Sequence, residues 1–181
     1  MNTRSGRGIT IRLAGEADKQ AIQHLDGLAR GGDVGRNALI DEAVASHRCL
    51  VAESRDVVGY VVMAPRHFFG RDFVELLVVH NDHRRRGVGR ALLRAGVSRA
   101  GTSRVFSSTN ESNAAMRSLF TAEGWTFSGR LDGLDEGDPE VVYFVDQQGI
   151  APRPVQERHA SSRAQRPLPT RNRGQEHNHA S

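Results

Sequence analysis

Cysteine, lysine and long apolar runs are almost or wholly missing from this 181-residue chain. Cys49 is the only cysteine, which excludes an internal disulfide and a cysteine-based metal cluster. No apolar run approaches the ~20 residues that span a bilayer, and the N-terminus lacks the apolar core of a signal peptide. We therefore expect a soluble cytoplasmic protein without a bound metal. Lys19 is the only lysine, an arginine bias that a GC-rich genome explains as readily as a function does.

The net charge of +4 arises entirely from the last segment of the sequence. Residues 1–149 contain equal numbers of basic and acidic side chains, whereas residues 150–181 contain six arginines against Glu157 and Glu176. The same segment holds four of the six prolines and no aromatic residue, too little apolar surface to offset the entropy of ordering it. We predict a disordered Arg/Pro-rich tail over residues 149–181. A nucleic-acid tether is the alternative, but aromatic stacking partners are absent, so nucleic acid is not an expected partner.

Hydrophobic periodicity predicts one α+β domain over residues 9–148, after a flexible N-terminus at residues 1–8. In its first half the pattern indicates a strand at 9–13, helices at 16–29 and 33–46, and a hairpin of strands 49–52 and 57–64. Residues 65–72 are predicted to be a connection. The second half alternates strands at 73–79, 105–109, 125–127 and 141–145 with helices at 88–100 and 113–124. This order favours a mixed sheet covered by helices.

The segment from Phe73 to Leu93 is the most informative part of the sequence. An apolar strand ends in a turn, three arginines and a Gly87-x-Gly89 step that opens an amphipathic helix. Such a junction presents free backbone amides at the positive end of a helix dipole, which suits an anion. Four cations at this end oppose the dipole by roughly 0.3–1 kcal/mol each, so an anionic ligand is expected. They are Arg84, Arg85, Arg86 and Arg90.

Two common phosphate loops are excluded here. A dinucleotide fingerprint requires a third glycine where the chain has Leu92, and a P-loop requires a lysine that this segment lacks. What remains, Arg84-x-x-Gly87-x-Gly89, resembles the pyrophosphate motif of the GNAT superfamily of acetyl-CoA-dependent N-acetyltransferases. A second family pattern is matched downstream by Asn113, Met116, Leu119, Phe120, Gly124 and Trp125.

The resemblance covers about residues 9–146, and residues 106–113 and 134–140 look like a subgroup of uncharacterised bacterial GNAT proteins. It implies a central mixed sheet of six to seven strands flanked by about four helices, and acetyl transfer from acetyl-CoA, as co-substrate, to a primary amine. By resemblance, the strand around Leu77, Val78 and Val79 pairs with the pantetheine arm, and Asn113 bonds the same arm. The pyrophosphate is expected at Arg84, Arg85, Arg86, Gly87, Val88, Gly89 and Arg90, where a Cβ on either glycine would obstruct close approach.

Glu75 is the candidate general base, because it is the only acid in the apolar run from Phe73 to Val79. Strict alternation would place it on the same face as Leu77. A carboxylate in apolar surroundings suits a base near neutral pH, although a Glu that is solvated or paired with an arginine such as Arg71 is the alternative.

The sequence departs from the family at Phe120, where many members have a tyrosine that protonates the leaving thiolate. Tyr143, Tyr60 or water are the candidate replacements, and Tyr143 is the candidate acid. Because Phe120 has no hydroxyl, a second hypothesis is that the protein is a non-catalytic regulatory module that binds acyl-CoA.

The acceptor is the least determined partner. Acidic residues crowd the loop before the last strand, which often borders the acceptor site in this family, and they suggest a cationic amine, small or on a protein. A solvated turn is an equally good explanation of this Asp/Gly/Pro-rich segment, and a homodimer is left open. The acidic residues are Asp132, Asp135, Glu136, Asp138 and Glu140.

Overall fold

A computed structural model of the protein describes residues 3–5 and 8–147, in which eight strands form a single sheet ordered β1-β2-β3-β4-β5-β6-β8-β7. The strands are β1 Thr3–Ser5, β2 Ile9–Leu13, β3 Cys49–Glu53, β4 Val57–Phe68, β5 Arg71–Val79, β6 Arg104–Asn110, β7 Thr126–Leu131 and β8 Glu140–Asp146. The α-helices are α1 Lys19–Leu25, α2 Gly27–Arg30, α3 Val34–Ala45, α4 Val88–Ser98 and α5 Ala114–Ala122.

All neighbouring strands are antiparallel except β5 and β6, which run parallel and are joined through α4. A parallel pair needs such a crossover, and the amphipathic pattern of α4 supplies it. The helices cover both faces of the sheet. Residues of α4 and α5, including Leu92, Leu93 and Phe120, pack in one core with Val74. Residues of α1 and α3 pack in a second core on the opposite face with Tyr60 and Val62.

This architecture confirms the predicted mixed sheet flanked by helices and the β3–β4 hairpin. The predicted connection at residues 65–72 is wrong, because β4 continues to Phe68 and β5 begins at Arg71. An irregularity after Ala64 and a positive φ at Arg66 let β4 bend beyond its proline. The turn of the resulting β4–β5 hairpin contains only Phe69 and Gly70.

The first predicted helix is divided at Asp26. The backbone of Asp26 is extended. The Asp26 carboxylate accepts hydrogen bonds from Leu28 N at 2.9 Å and Ala29 N at 3.0 Å, and these bonds cap the start of α2. The Tyr60 hydroxyl donates to the same carboxylate at 2.6 Å. A buried acid held in this way caps a new helix instead of continuing the old one.

The N-terminal strand β1 pairs with β2 inside the segment that was predicted to be flexible. The predicted tail at residues 149–181 lies outside the described residues. No helix of the described chain has the length and apolar character needed to cross a membrane. The cytoplasmic location stays a prediction.

Candidate active site

The pairing of β5 with β6 is short, and the two strands part beyond it. The ladder joins Asp72, Phe73 and Val74 to the β6 residues 105–107 and then stops, although both strands continue. At the last paired position the Ser107 hydroxyl donates to Val74 O at 2.9 Å. The backbone of β5 on its β6 side is therefore open to another extended chain beyond Val74. Leu77, Val78 and Val79 are half-buried along this opening.

The loop between β5 and α4 closes one end of the opening. Arg84, Arg85 and Arg86 are exposed, and Arg84 Nε donates to Val79 O at 3.2 Å. The helix starts at Val88 without a side-chain cap or an acidic residue in its first turn. Uncapped first-turn amides beside three arginines favour an anion, so the chemistry of these residues fits the pyrophosphate of a coenzyme A.

Gly87 and Gly89 are needed for different reasons. Gly87 has φ +84°, a conformation that disfavours any side chain. A Cβ on Gly89 would lie 3.5 Å from Leu119 Cδ2 and 3.6 Å from Val79 Cγ2, which are ordinary van der Waals distances. The protein itself thus requires glycine at Gly87 and accommodates a methyl group at Gly89.

Glu75 occupies a bulge in β5. Val62 pairs with Leu76 and Met63 with Val74, so Glu75 has no partner of its own on β4. The bulge reverses the alternation: Val74 faces the α4 core, whereas Leu76 faces the α1–α3 core. The expectation that Glu75 shares a face with Leu77 is therefore wrong. Its side chain, 24% exposed, lies on the α1–α3 face with Oε2 3.7 Å from Arg48 Nη1.

Arg48 is held firmly beside this bulge. Its Nη1 donates to Met63 O at 2.8 Å, its Nε donates to Ser46 Oγ at 2.9 Å, and its guanidinium contacts Glu42. Met63 N in turn donates to Arg48 O at 2.9 Å. Arg48 therefore braces β4 opposite Glu75, a role that nothing in the local sequence indicated. The neighbouring Cys49 is no nucleophile, because burial raises the pKa of its thiol to about 12.

Comparison with known proteins identifies the family. Residues 45–126 match the sequence profile of the acetyltransferase (GNAT) domain. A GNAT-family acetyltransferase from Bacillus cereus ATCC 10987 is 34% identical with a TM-score of 0.71, over 77% of this chain and 97% of that one. The chain belongs to the GNAT family. It is thus an acetyl-CoA-dependent acyltransferase.

Two further solved acetyltransferases share the fold at lower identity. The yncA protein of Salmonella typhimurium, solved with its cofactor acetyl-CoA, is 24% identical with a TM-score of 0.64, covering 81% of this chain and 98% of that one. Diaminobutyrate acetyltransferase EctA from Paenibacillus lautus, solved with diaminobutyric acid and coenzyme A, is 22% identical with a TM-score of 0.58, covering 76% and 95%. No curated protein sequence matches the chain significantly.

Two residues predicted to hold coenzyme A in this GNAT protein have partners within the chain. Arg90 Nε lies 2.6 Å from Glu123 Oε1, and Arg94 contacts the same carboxylate. The pair ties α4 to the end of α5. Asn113 caps α5, since its Oδ1 accepts from Met116 N at 3.2 Å and its Nδ2 donates to Thr109 Oγ1 at 3.0 Å. Both therefore have structural contacts within the chain, and their direct contact with coenzyme A stays a prediction.

The position of the missing GNAT tyrosine is part of the core. Phe120 is fully buried, stacks on Tyr143 with ring centroids 4.9 Å apart and lies equally close to Trp125. Tyr143 is nearly buried, and its role as the acid stays a prediction. Tyr60 is unsuited to that role, because burial and its bond to Asp26 raise the pKa of the phenol well above its ordinary value.

Three of the five acidic residues in the loop before β8 and at the start of that strand bond to other residues of the chain. Asp138 accepts from Ser112 N at 2.9 Å and Ser112 Oγ at 2.6 Å, which holds the pKa of that carboxyl below its ordinary value. Asp135 accepts from Asn110 Nδ2 at 2.7 Å, and Asp132 pairs with Arg130 at 2.9 Å. These contacts hold the loop against the start of α5, and they weaken the argument that its charge recognises a cationic acceptor.

Proposed function

We propose that this acetyltransferase moves an acetyl group from acetyl-CoA to a primary amine by direct attack. The observation that carries the proposal is the open strand pair β5–β6, with the arginine loop at one end and the Glu75 bulge beside the point where the strands part. When bound, acetyl-CoA supplies a thioester carbon. The arginine loop anchors the pyrophosphate, and the β5 backbone of Leu77 and Val79 pairs with the pantetheine arm.

Glu75 acts as the general base in this proposal. Its carboxylate accepts a proton from the attacking amine nitrogen, directly or through one water, as the new N–C bond forms and the C–S bond breaks. The departing thiolate needs little help, because a free thiol has a pKa near 8.5. Arg48 keeps the Glu75 carboxylate in place on the α1–α3 face. The acceptor therefore approaches from that face, while acetyl-CoA is bound on the α4–α5 side.

The deciding experiment measures thiol release from acetyl-CoA with a panel of primary amines, together with the mass of the acetylated product. Amine-dependent release with wild-type protein is expected, along with its loss in Glu75→Gln and its retention in Glu16→Gln, an exposed glutamate near α1. If coenzyme A binds but no amine is acetylated, the protein is instead a non-catalytic acyl-CoA-binding module.

A further inference from the structure

The β4–β5 hairpin places an aromatic surface on the face of the sheet that carries Glu75. Phe68 stacks on Phe73 with centroids 5.5 Å apart and lies 5.0 Å from Phe106, which in turn lies 5.7 Å from Phe144. All four rings are half-buried. We call these four residues the aromatic basin. They belong to three neighbouring strands and the end of β4, so they form one continuous surface.

The rim of the basin is an exposed phenylalanine in a strained backbone conformation. Phe69 has φ +49° and is 92% exposed, with its ring 5.0 Å from Phe68. Bulky residues seldom adopt positive φ, and such positions cluster at binding sites. The buried carboxylate of Asp72 fixes the bend behind the turn, accepting from Arg66 N at 3.0 Å and Gly101 N at 2.6 Å. The hairpin conformation thus keeps Phe69 exposed beside the aromatic basin.

A cavity of about 410 Å³ opens between the hairpin and the start of β6. Its charged lining is Arg71, Arg104 and Asp146. Arg104 pairs with Asp146 at 2.7 Å and lies over the Phe144 ring at 4.2 Å, whereas Arg71 is exposed and forms no ion pair with any described residue. The cavity therefore has aromatic walls and one positive charge, that of Arg71, without an ion-pair partner among the described residues. This combination complements a ligand with an apolar body and an anionic group.

The basin is continuous with the candidate base. Val74 faces the α4 core, so its neighbours Phe73 and Glu75 both lie on the opposite face. Glu75 follows Phe73 by two residues and Arg71 by four, which at ~3.3 Å per residue places the Cα atoms of Arg71 and Glu75 roughly 13 Å apart. An acceptor with its amine at Glu75 would lie along the rings toward Arg71.

We infer that the acceptor is an amine with an aromatic body and an anionic group at the far end, bound on the aromatic basin with its anion at Arg71. This inference rests on the proposed amine acetylation and adds the class of acceptor to it. It replaces the cationic acceptor suggested by the acidic loop, in which Asp132, Asp135 and Asp138 have partners within the chain.

The test uses four amines that differ in the ring and in the charge at the far end. They are a benzylamine with a para-propanoate group, para-propylbenzylamine, an ω-amino octanoate and diaminooctane. Wild-type protein is expected to show the highest kcat/KM with the aryl propanoate and the lowest with diaminooctane. Removal of the ring or of the anion is expected to lower kcat/KM about tenfold each. An equal or higher kcat/KM with diaminooctane would overturn the inference.

Two surface variants locate the effect. Phe69→Ala is expected to lower kcat/KM about fivefold for both aryl acceptors, mainly through KM, and to leave the octanoate within twofold. Arg71→Gln is expected to lower kcat/KM about tenfold for both acids only. Leu131→Ala, at an exposed position on β7, and Arg55→Gln, in the β3–β4 turn, are the matched controls.

The outcomes separate the two proposals. If no amine of any class is acetylated, the proposed function fails. If amines are acetylated but Phe69→Ala and Arg71→Gln behave like their controls toward every acceptor, the proposed function stands and the aromatic basin is not the acceptor site.

Discussion

Arg48 and Glu75, 27 positions apart in the sequence, meet on the α1–α3 face with Arg48 Nη1 3.7 Å from Glu75 Oε2. Arg48 is fixed by Met63 O, Ser46 Oγ and Glu42, so it is a rigid partner for a carboxylate that sits in a bulge. The bulge directs the Glu75 side chain to the α1–α3 face, and Arg48 contacts its carboxylate there. This relationship makes Arg48 a positioning residue for the proposed reaction.

Replacement of Arg48 by Met is expected to lower kcat roughly tenfold, because the loss of a charge-assisted contact is worth about 1.4 kcal/mol or more. The loss should fall on kcat and leave the Kd for coenzyme A within about twofold of wild type, because Arg48 contacts the Glu75 carboxylate on the α1–α3 face. Arg48→Lys should restore most of the rate. A rate loss that Arg48→Lys does not restore, or an equal loss of affinity for coenzyme A, would assign Arg48 a purely structural role.

The two glycines of the arginine loop should respond differently to alanine. Gly87→Ala forces a side chain into the left-handed region and should lower the free energy of unfolding by about 1–2 kcal/mol. Gly89→Ala meets only van der Waals contacts and should change that free energy by less than about 0.5 kcal/mol. Urea unfolding of both variants measures the difference, and equal destabilisation would contradict the loop geometry.

Two exposed arginines of the loop should contribute to affinity through the phosphates of coenzyme A. Arg85→Gln and Arg86→Gln are expected to weaken coenzyme A binding by about tenfold each, and to leave the binding of pantetheine, which lacks the pyrophosphate, unchanged. Titration calorimetry with both ligands, using Arg55→Gln as a control, tests this. A similar loss for pantetheine would show that these arginines shape the loop instead.

The buried Asp26–Tyr60 contact should make stability depend on pH. Burial acts to raise the pKa of Asp26, but the bonds from Tyr60 and the α2 amides outweigh it and hold that pKa below 3.8. A lowered pKa stabilises the fold above the unfolded value, and this contribution is lost as pH falls through the folded value. Tyr60→Phe should therefore be destabilising by about 1–3 kcal/mol at neutral pH.

The same variant should lose less stability in acid. Because the phenol stabilises the ionised carboxylate most, the difference in unfolding free energy between wild type and Tyr60→Phe should shrink below about pH 4. Denaturant unfolding at pH 7 and pH 3 measures it. A difference that stays constant with pH would mean that Tyr60 contributes through packing alone.

Sequence patterns predicted the sheet, its helices and the arginine loop, because periodicity and glycine turns are local. They failed where a distant residue decides the outcome. Asp26 divides the first helix, with its carboxylate bonded to Tyr60, 34 positions away. The bulge reverses the face of Glu75 through pairing with β4, and counting residues along a strand assumes that no bulge exists. The residues around Arg48 do not predict its contact with Glu75, because that contact depends on the same bulge.

The aromatic basin was hidden for a related reason. The sequence predicts a connection over residues 65–72, and a connection gives no register that would relate Phe68 and Phe69 to Phe106 and Phe144. Only the extension of β4 past Pro65 and the capping of the bend by Asp72 bring these rings onto one surface.

The central claim is that Glu75 accepts the proton of the amine, and the kcat of Glu75→Gln measured beside its affinity for coenzyme A tests it most directly. We predict that kcat falls at least about a hundredfold, as for loss of a general base, while the Kd for coenzyme A stays within about twofold of wild type. A Glu75→Gln protein that acetylates its best amine at the wild-type rate would contradict the account.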